Sequence, residues 1–186
     1  LSGPIALVGF VQPNETGLGK PLFEATAVIS KGRVVGIHKK ALVPPFSAFG
    51  DGSYFEPGLL PEIVSVGSWR VGITIGADFW GIPEIAGPMH DPNPLDCLAA
   101  GHPSLIVNLS ASLFSTSSSS VRISKARRLM APFGLPFVCT NLVGGNDGLI
   151  FDGSSFALRP DGSLCYSAPA LIEHVGVADF DDTSTI

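Results

Sequence analysis

LFEATAVISKGRVVGIH, residues 22–38, is the stretch that decides the fold of this chain. Two runs rich in β-branched and apolar residues, Leu22–Ser30 and Arg33–His38, flank the dipeptide Lys31-Gly32. Glycine adopts the positive φ that a two-residue turn needs, so the stretch predicts a β-hairpin. Another apolar run, Ile5–Val11, precedes it, and the chain therefore begins in strand-forming sequence.

Short apolar runs separated by Gly, Pro and Asp-Gly continue beyond this hairpin and predict further strands. A second hairpin is expected to join Ser155–Arg159 to Leu164–Tyr166. Runs with little charge predict fully buried strands; these are Val71–Ile75, Leu105–Leu109 and Phe137–Val143. Two helices are predicted between the strands, over Pro94–Ala100 and Ser120–Ala131. Strands alternating with helices indicate a layered α/β core.

The second helix is expected to begin with a serine cap, Ser119 or Ser120, since a hydroxyl can accept a hydrogen bond from the first turn. Its basic residues are expected to face water, and its apolar positions are Val121, Leu129 and Met130. The serine-rich stretch Ser115–Ser120 is expected to be a mobile loop.

Composition favours one core-rich domain over residues 1–186, because 45% of the residues are hydrophobic and 15% are charged. The net charge of −5 provides no basic stripe, which argues against nucleic acid or an anionic membrane as the main partner. No apolar run approaches the roughly 18 residues that span a bilayer, and we expect a cytoplasmic protein. The apolar run so close to Leu1 leads us to expect a fragment.

Cysteine usage indicates neither disulfides nor a metal site. Cys97, Cys139 and Cys165 are odd in number and never form a CxxC pair, so free buried thiols are expected. His90 and His102 flank Cys97 at spacings that fit no zinc pattern. No metal and no cofactor is predicted.

Several polar motifs follow the predicted strands. Lys39-Lys40 ends the first hairpin, and two interpretations stay open: a buried catalytic cation, or solvated surface lysines, which the residues alone favour. Asn108–Ser112 ends a buried strand, where α/β sheets place ligand-binding loops. Asn141–Gly145 and Phe151–Ser155 are typical of turns.

Taken in order, these motifs resemble the carbon–nitrogen hydrolase (nitrilase) superfamily, and within it the glutamine amidotransferase domain of glutamine-dependent NAD synthetase. Six segments carry the resemblance: Lys40-x-x-x-Pro44, Phe49–Gly58 (family F-D-E-x-R-Y-F-E-P-G), Ile75–Trp80 (I-C-E-D-x-W), Asn108–Ser112 (N-x-S-A-S), Asn141–Gly145 (N-x-V-G-G) and Phe151–Ser154 (F-D-G-x-S). The resemblance implies a four-layer α-β-β-α sandwich, here lacking its first strand and helix.

The resemblance also implies a chemistry. In that family a cysteine thiolate attacks the glutamine amide, a lysine stabilises the oxyanion, a glutamate relays the proton, and the released ammonia goes to a synthetase domain. Lys40 matches the lysine, but Gly76 stands where the cysteine belongs. Asp51 matches a second, auxiliary glutamate, and the general-base glutamate is expected to lie before Leu1.

The implied substrate-binding positions are Ala77, Tyr54, Trp80, Ser110 and Ser112. Ala77 replaces a glutamate suited to the α-amino group of glutamine, and the segment after Ser112 reads Leu-Phe-Ser-Thr-Ser-Ser instead of the family's S-P-x-x-x-G-K. No nucleotide-binding motif of a synthetase occurs in the sequence, so ATP, Mg²⁺ and deamido-NAD binding are not implied for this chain.

Three hypotheses follow. The first is a nitrilase-fold domain impaired in catalysis by the loss of its nucleophile. The second is a non-catalytic interaction module that dimerises or supports an NAD synthetase partner. The third is an amidase that uses a serine near Ser110 or Ser112. Expected partners are a small amide such as glutamine, if the pocket is retained, a second copy of the chain, and an NAD synthetase domain.

Overall fold

A computed structural model describes residues 4–45, 49–59, 61, 63–81 and 93–180. The chain divides into two compact units, Leu1–Pro103 and Ser104–Ile186. Both units combine strands with helical segments, which confirms the predicted α/β class. The single domain over residues 1–186 stays a prediction.

The first unit contains a three-stranded antiparallel sheet in the order β1-β2-β3, formed by Ile5–Pro13, Leu22–Ser30 and Arg33–Lys39. The hairpin between the last two strands is confirmed. Its turn residues Lys31 and Gly32 have φ of 50° and 71°, as the turn chemistry requires. β2 lies between the other two strands and forms the centre of this sheet, and most of its side chains are buried, with Val28 at 1% exposure.

The first unit also contains an antiparallel strand pair and three helices. The pair joins β4, Ile63–Val66, to β5, Trp69–Ile75. The helices are α1 (Asp51–Tyr54), α2 (Ala77–Trp80) and α3 (Pro94–Ala100). The last agrees with its predicted bounds: the Asn93 side chain caps it and Pro94 occupies its first turn.

In the second unit, β6 (Leu105–Ser110) runs parallel to β7, which pairs antiparallel with β10, and β10 with β11. A separate hairpin pairs β8 with β9. The bounds are β7 Phe137–Asn141, β8 Val143–Asn146, β9 Leu149–Asp152, β10 Phe156–Leu158 and β11 Leu164–Ser167. The predicted second hairpin is therefore confirmed, and the predicted strand Phe137–Val143 ends two residues early.

Helix α4, Ser118–Met130, differs from its prediction in three ways. It begins inside the stretch expected to be a mobile loop, and its N-cap is Ser117, whose side chain makes no capping bond. Val121, expected to pack inward, is 56% exposed, whereas Arg122, expected to face water, is 7% exposed. Arg122 faces inward because it forms an ion pair with Asp152 in the same unit. The polarity of the helix residues alone does not predict this orientation.

The three cysteines are free thiols, as expected, but only Cys139 is buried; Cys97 and Cys165 are half-exposed. Within the described residues, no helix has the length and apolarity that a bilayer-spanning segment needs.

Candidate functional site

Lys40 is a buried cation directly after β3. It is 5% exposed, and its backbone N–H donates to the Glu24 carbonyl oxygen at 2.8 Å, continuing the sheet. Lys39 instead extends its ammonium over the Phe23 ring, 3.9 Å from the ring centroid. Successive strand side chains point to opposite faces, which separates the two lysines. The interpretation of Lys40 as a solvated surface lysine is therefore wrong.

Gly76 forms a sharp turn between β5 and α2. Its φ is 47° and its ψ is −110°, and its carbonyl oxygen accepts hydrogen bonds from the N–H groups of Phe79 and Trp80. A Cβ at this position would lie 3.9 Å from both Cε and Nζ of Lys40, an ordinary contact. A strained strand-to-helix turn that presents one side chain at the end of a sheet is the geometry of a nucleophile elbow.

Asp78 joins this turn to the segment that carries Lys40. Its Oδ1 accepts hydrogen bonds from the backbone N–H groups of Ala41 and Leu42, at 2.9 and 2.7 Å. Its Oδ2 accepts a hydrogen bond from the backbone N–H of Ile75 at 3.1 Å. The carboxylate is buried and lies 3.8 Å from His38 Nε2. Three backbone bonds from two segments fix the distance between Lys40 and the elbow.

Two carboxylates flank the Lys40 ammonium. Glu24 Oε2, on β2, forms a direct ion pair with Lys40 Nζ, and Asp51 Oδ2, at the start of α1, lies 3.6 Å from it. Their side chains are 28% and 12% exposed. Lys40, Asp51 and the Gly76 position, which the resemblance selected, therefore lie together, and Glu24 joins them. Their catalytic roles stay predictions.

Three more predicted site residues lie on the short helices of the same unit. Ala77 begins α2 directly after the elbow and is half-buried. Trp80 ends α2 and packs edge-to-face on Phe79, with ring centroids 4.9 Å apart. Tyr54, at the end of α1, is 59% exposed. Their assignment to substrate binding stays a prediction.

Ser110 and Ser112 lie in the second unit. Their hydroxyl oxygens are 2.7 Å apart, and the Ser112 N–H donates to Asn141 Oδ1 at 2.8 Å. Asn141 also donates from Nδ2 to the Gly153 carbonyl oxygen at 2.9 Å. The N-x-S-A-S, N-x-V-G-G and F-D-G-x-S segments thus support one another through side-chain to backbone bonds.

A buried ion pair anchors the second unit. Arg122 Nη2 on α4 donates to Asp152 Oδ2 at 2.6 Å, and Ser118 Oγ donates to the same oxygen at 3.3 Å. Burial raises the pKa of the Asp152 carboxyl, but the hydrogen bond and charge of Arg122, with Ser154 adding a hydrogen bond, outweigh it and hold that pKa below its usual value. Nε and Nη1 of Arg122 are buried without hydrogen-bond partners among the described residues.

Cys139, in the middle of β7, is an inert thiol. It is 1% exposed, and burial raises the pKa of this thiol to about 12, only partly offset by the charge of Arg122. Because the thiolate is the nucleophile, Cys139 offers none at neutral pH. Across the part of the chain that the structure describes, no three His, Cys, Asp or Glu side chains form a metal site. His90 lies outside the described residues.

Sequence reasoning missed Glu24, Asp78 and the buried state of Arg122. Glu24 gave a signal, since it is the only charged residue in the strand LFEATAVIS. Asp78 lies within the segment Ile75–Trp80, but the resemblance assigns it no role of its own. Arg122 gave no local signal, because its partner is 30 residues away in the sequence.

The chain is similar in sequence to glutamine-dependent NAD(+) synthetases. It is 32% identical over 182 residues to the one from Synechocystis sp., an alignment that covers 96% of this chain and 33% of the relative. The chain thus spans about a third of the length of the curated relatives it matches. No protein-family model matches the chain.

Solved structures agree in fold. The glutamine-dependent NAD+ synthetase from Acinetobacter baumannii, solved with ADP, matches with a TM-score of 0.81 and 26% identity, covering 94% of this chain and 31% of that one. A cysteine-to-alanine mutant of the Nesterenkonia AN1 amidase from the nitrilase superfamily matches with a TM-score of 0.67 and 17% identity, covering 89% of this chain and 57% of that one. At 17% identity, the match to the amidase shows a shared fold and nothing further.

The predicted resemblance and the nitrilase-type α/β fold are therefore confirmed. Since the chain matches both the amidase and part of the synthetase, the part it matches in the synthetase is the nitrilase-like one. The chain is a homologue of the glutamine-dependent NAD synthetases and has the fold of the nitrilase (carbon–nitrogen hydrolase) superfamily.

Proposed function

We propose that this chain is a nitrilase-fold domain, related to the glutaminase part of NAD synthetases, that has lost glutaminase turnover. The observation that carries the proposal is the elbow at Gly76. The backbone takes the strained geometry that presents a nucleophile, and a side chain there would begin 3.9 Å from the Lys40 ammonium. Glycine supplies no atom that can attack a substrate.

The expected loss of rate is large. In a covalent amidase a thiolate attacks the amide carbon, and the amide nitrogen is protonated and leaves as ammonia. Water then hydrolyses the resulting thioester. Each of these steps requires the bond formed by the nucleophile. Lys40 can stabilise negative charge electrostatically, but a protonated amine forms no acyl intermediate. Removal of the nucleophile from a covalent hydrolase can cost on the order of 10⁶ in turnover.

Three candidate nucleophiles do not replace the cysteine. Cys139 is buried and protonated. Ser110 and Ser112 hydrogen-bond each other through their hydroxyls, and a serine needs an adjacent base to become a nucleophile. These contacts favour the impaired domain over an amidase that works through serine.

Ammonia release from glutamine tests the proposal directly. We expect the purified chain and its Lys40→Ala variant to release ammonia at the same background rate, because neither contains the nucleophile. Turnover of the unmodified chain well above that of Lys40→Ala would overturn the proposal. Circular dichroism spectra of both samples show whether each is folded, so that a lack of ammonia release is not caused by misfolding.

Substrate binding is tested separately from turnover. Ala77 stands at a position where the resemblance implies a glutamate for the α-amino group of glutamine, so we expect weak or undetectable glutamine binding. Isothermal titration of the chain beside the Gly76→Cys/Ala77→Glu variant measures this. If only the double variant binds glutamine, the fold is retained and the contact to the α-amino group has been lost. If both chains bind glutamine equally, Ala77 does not stand at the position that contacts the α-amino group.

A second candidate function is an interaction module, favoured by one face of the β1-β2-β3 sheet. Strand register places Val8, Phe10 and Ile37 on the same face, beside Ala25 and Ala27 of β2. The three larger side chains are 46%, 36% and 41% exposed. Contiguous exposed apolar area favours a partner surface.

We propose a second copy of the chain or a synthetase domain as the partner of this module. Size-exclusion chromatography with light scattering gives the oligomeric state, and Val8→Lys is expected to dissociate a dimer that uses this face. A strictly monomeric chain that shows no affinity for a purified NAD synthetase domain would exclude the module. The cytoplasmic location stays a prediction.

A further inference from the structure

Two neighbouring side chains of the β1-β2-β3 sheet each have a buried polar atom without a hydrogen-bond partner. Thr26 on β2 is 0% exposed, and His38 on β3 is 3% exposed. Within the part of the first unit that the structure describes, neither Thr26 Oγ1 nor His38 Nε2 makes a hydrogen bond. A buried polar atom left unsatisfied destabilises the folded state, so two of them side by side indicate that a further group binds there.

The two side chains lie on the same face of the sheet. Thr26 and His38 are register partners in the antiparallel pairing of β2 with β3, and the Cβ atoms of such partners are about 4.5–5.5 Å apart. Glu24 and Lys40 form the adjoining row on that face, because side chains two residues apart along a strand point the same way. The row of Thr26 and His38 is therefore next to the charged row that contacts the elbow.

Asp78 provides a third polar group beside this row. Its Oδ2 lies 3.8 Å from His38 Nε2, which is too far for a hydrogen bond. The residue is 1% exposed, so bulk water does not solvate this oxygen. Oδ2 accepts the Ile75 N–H at 3.1 Å, and a carboxylate oxygen has a second lone pair to offer. A single water about 2.8 Å from both atoms spans the separation between Asp78 and His38.

We propose that Thr26, His38 and Asp78 form a binding site for one buried water molecule, which bonds to Thr26 Oγ1, His38 Nε2 and Asp78 Oδ2. Three hydrogen bonds are typical of a buried water. The water accepts hydrogen bonds from the imidazole N–H and the threonine O–H and donates one to the carboxylate, which satisfies all three groups.

The water connects the elbow to the centre of the sheet. Asp78 binds the segment after Lys40 and the end of β5 through three backbone N–H groups. The water adds β2 and β3 to the elements that hold the same carboxylate, through Thr26 and His38. Outer hydrogen bonds of this kind fix the orientation of a side chain. The site exists whether or not the chain hydrolyses glutamine, and it therefore goes beyond the proposed function.

A high-resolution crystal structure of the unmodified chain tests the site directly. We expect an ordered water within hydrogen-bond distance of Thr26 Oγ1, His38 Nε2 and Asp78 Oδ2. A direct hydrogen bond between His38 and Asp78, or a site that contains no ordered water, would overturn the proposal. The structure of Thr26→Val is the comparison, and we expect the water to be lost or displaced there.

The stability of Thr26→Val tests the same site in solution. Valine keeps the branched shape of threonine and removes the hydroxyl. If the hydroxyl bonds a water, the variant loses that bond, and we expect a lower urea midpoint than that of the unmodified chain. If the hydroxyl is unsatisfied, its replacement by a methyl group removes a buried unpaired polar group and raises the midpoint.

An unchanged or raised midpoint for Thr26→Val would therefore overturn the proposal. Thr116→Val, on an exposed turn before α4, is the matched control and should leave the midpoint unchanged. If crystals are not obtained, the midpoint of Thr26→Val decides. Neither measurement involves glutamine, so failure here leaves the ammonia-release test of the proposed function unaffected.

Discussion

Each of the two units contains an ion pair with a buried cation, but the two pairs differ in what surrounds them. Arg122 and Asp152 balance one positive against one negative charge and close a helix onto a hairpin; Gly153 and Ser154, directly after Asp152, have positive φ of 63° and 50°. Lys40 faces two carboxylates beside a glycine whose φ is 47°. A domain needs only the first arrangement to fold. Since positive φ lies beside both pairs, the charge balance is what separates them, and clustered charges that perturb one another are typical of sites built for chemistry.

The largest expected effect tests whether the Arg122 pair is structural. Asp152→Ala would leave the Arg122 guanidinium buried without its counter-charge, and we expect the free energy of unfolding to fall by about 3–5 kcal/mol. Urea denaturation measures this. Arg128→Met, on the exposed side of the same helix, is the control and should change stability by less than about 0.5 kcal/mol.

A double variant sharpens this test. Replacement of both members in Arg122→Met/Asp152→Leu removes the uncompensated charge, and we expect it to be more stable than Asp152→Ala, because apolar pairs often replace buried ion pairs without loss. If Asp152→Ala costs less than about 1 kcal/mol, the pair is not the anchor of its unit.

The next effect concerns the link that sets the geometry of the other cluster. Asp78→Asn replaces one carboxylate oxygen by an NH₂ group that cannot accept the N–H bonds now made to Asp78, and a buried donor left unsatisfied costs about 1–3 kcal/mol. We expect a loss of about 2–3 kcal/mol in urea denaturation. Asp96→Asn, exposed in the first turn of α3, is the matched control. Equal stability of the two variants would mean that Asp78 does not fix the elbow.

The comparison also shows which features the sequence could predict. Local patterns predicted the two hairpins and α3, because turn glycines, strand alternation and the Asn93-Pro94 start act within a few residues. The resemblance brought together Lys40, Asp51 and Gly76 from three segments. It could not reveal Glu24 as the partner of Lys40, nor the burial of Arg122. Each of these features depends on a partner that is distant in the sequence. Judged from its neighbours alone, a charged side chain is expected to face solvent.

A smaller effect is expected from restoring a side chain at the elbow. Gly76→Cys meets no steric obstacle, but a positive φ costs a residue other than glycine about 1–3 kcal/mol, and we expect a loss of about 1–2 kcal/mol. Gly36→Cys is the matched control, because a Cβ there makes contacts of 3.8 Å with Val28 at an ordinary φ. Equal stability of the two variants would mean that the turn at Gly76 imposes no strain on a side chain, and that charge balance alone distinguishes the Lys40 cluster.

The smallest expected effect is the pH dependence of the Arg122 pair. Because Arg122 holds the pKa of Asp152 below its value in the unfolded chain, the carboxylate stabilises the folded state above that unfolded value, near 4, and this contribution is lost as the pH falls through the lower folded value. The stability difference between the unmodified chain and Asp152→Asn should therefore be full at pH 7 and shrink below pH 4. Urea midpoints for the two chains at pH 7, 4 and 3 measure it. A difference that is constant across these pH values would mean that Asp152 contributes through its shape and hydrogen bonds, and that the charge balance of this pair does not distinguish it from the Lys40 cluster.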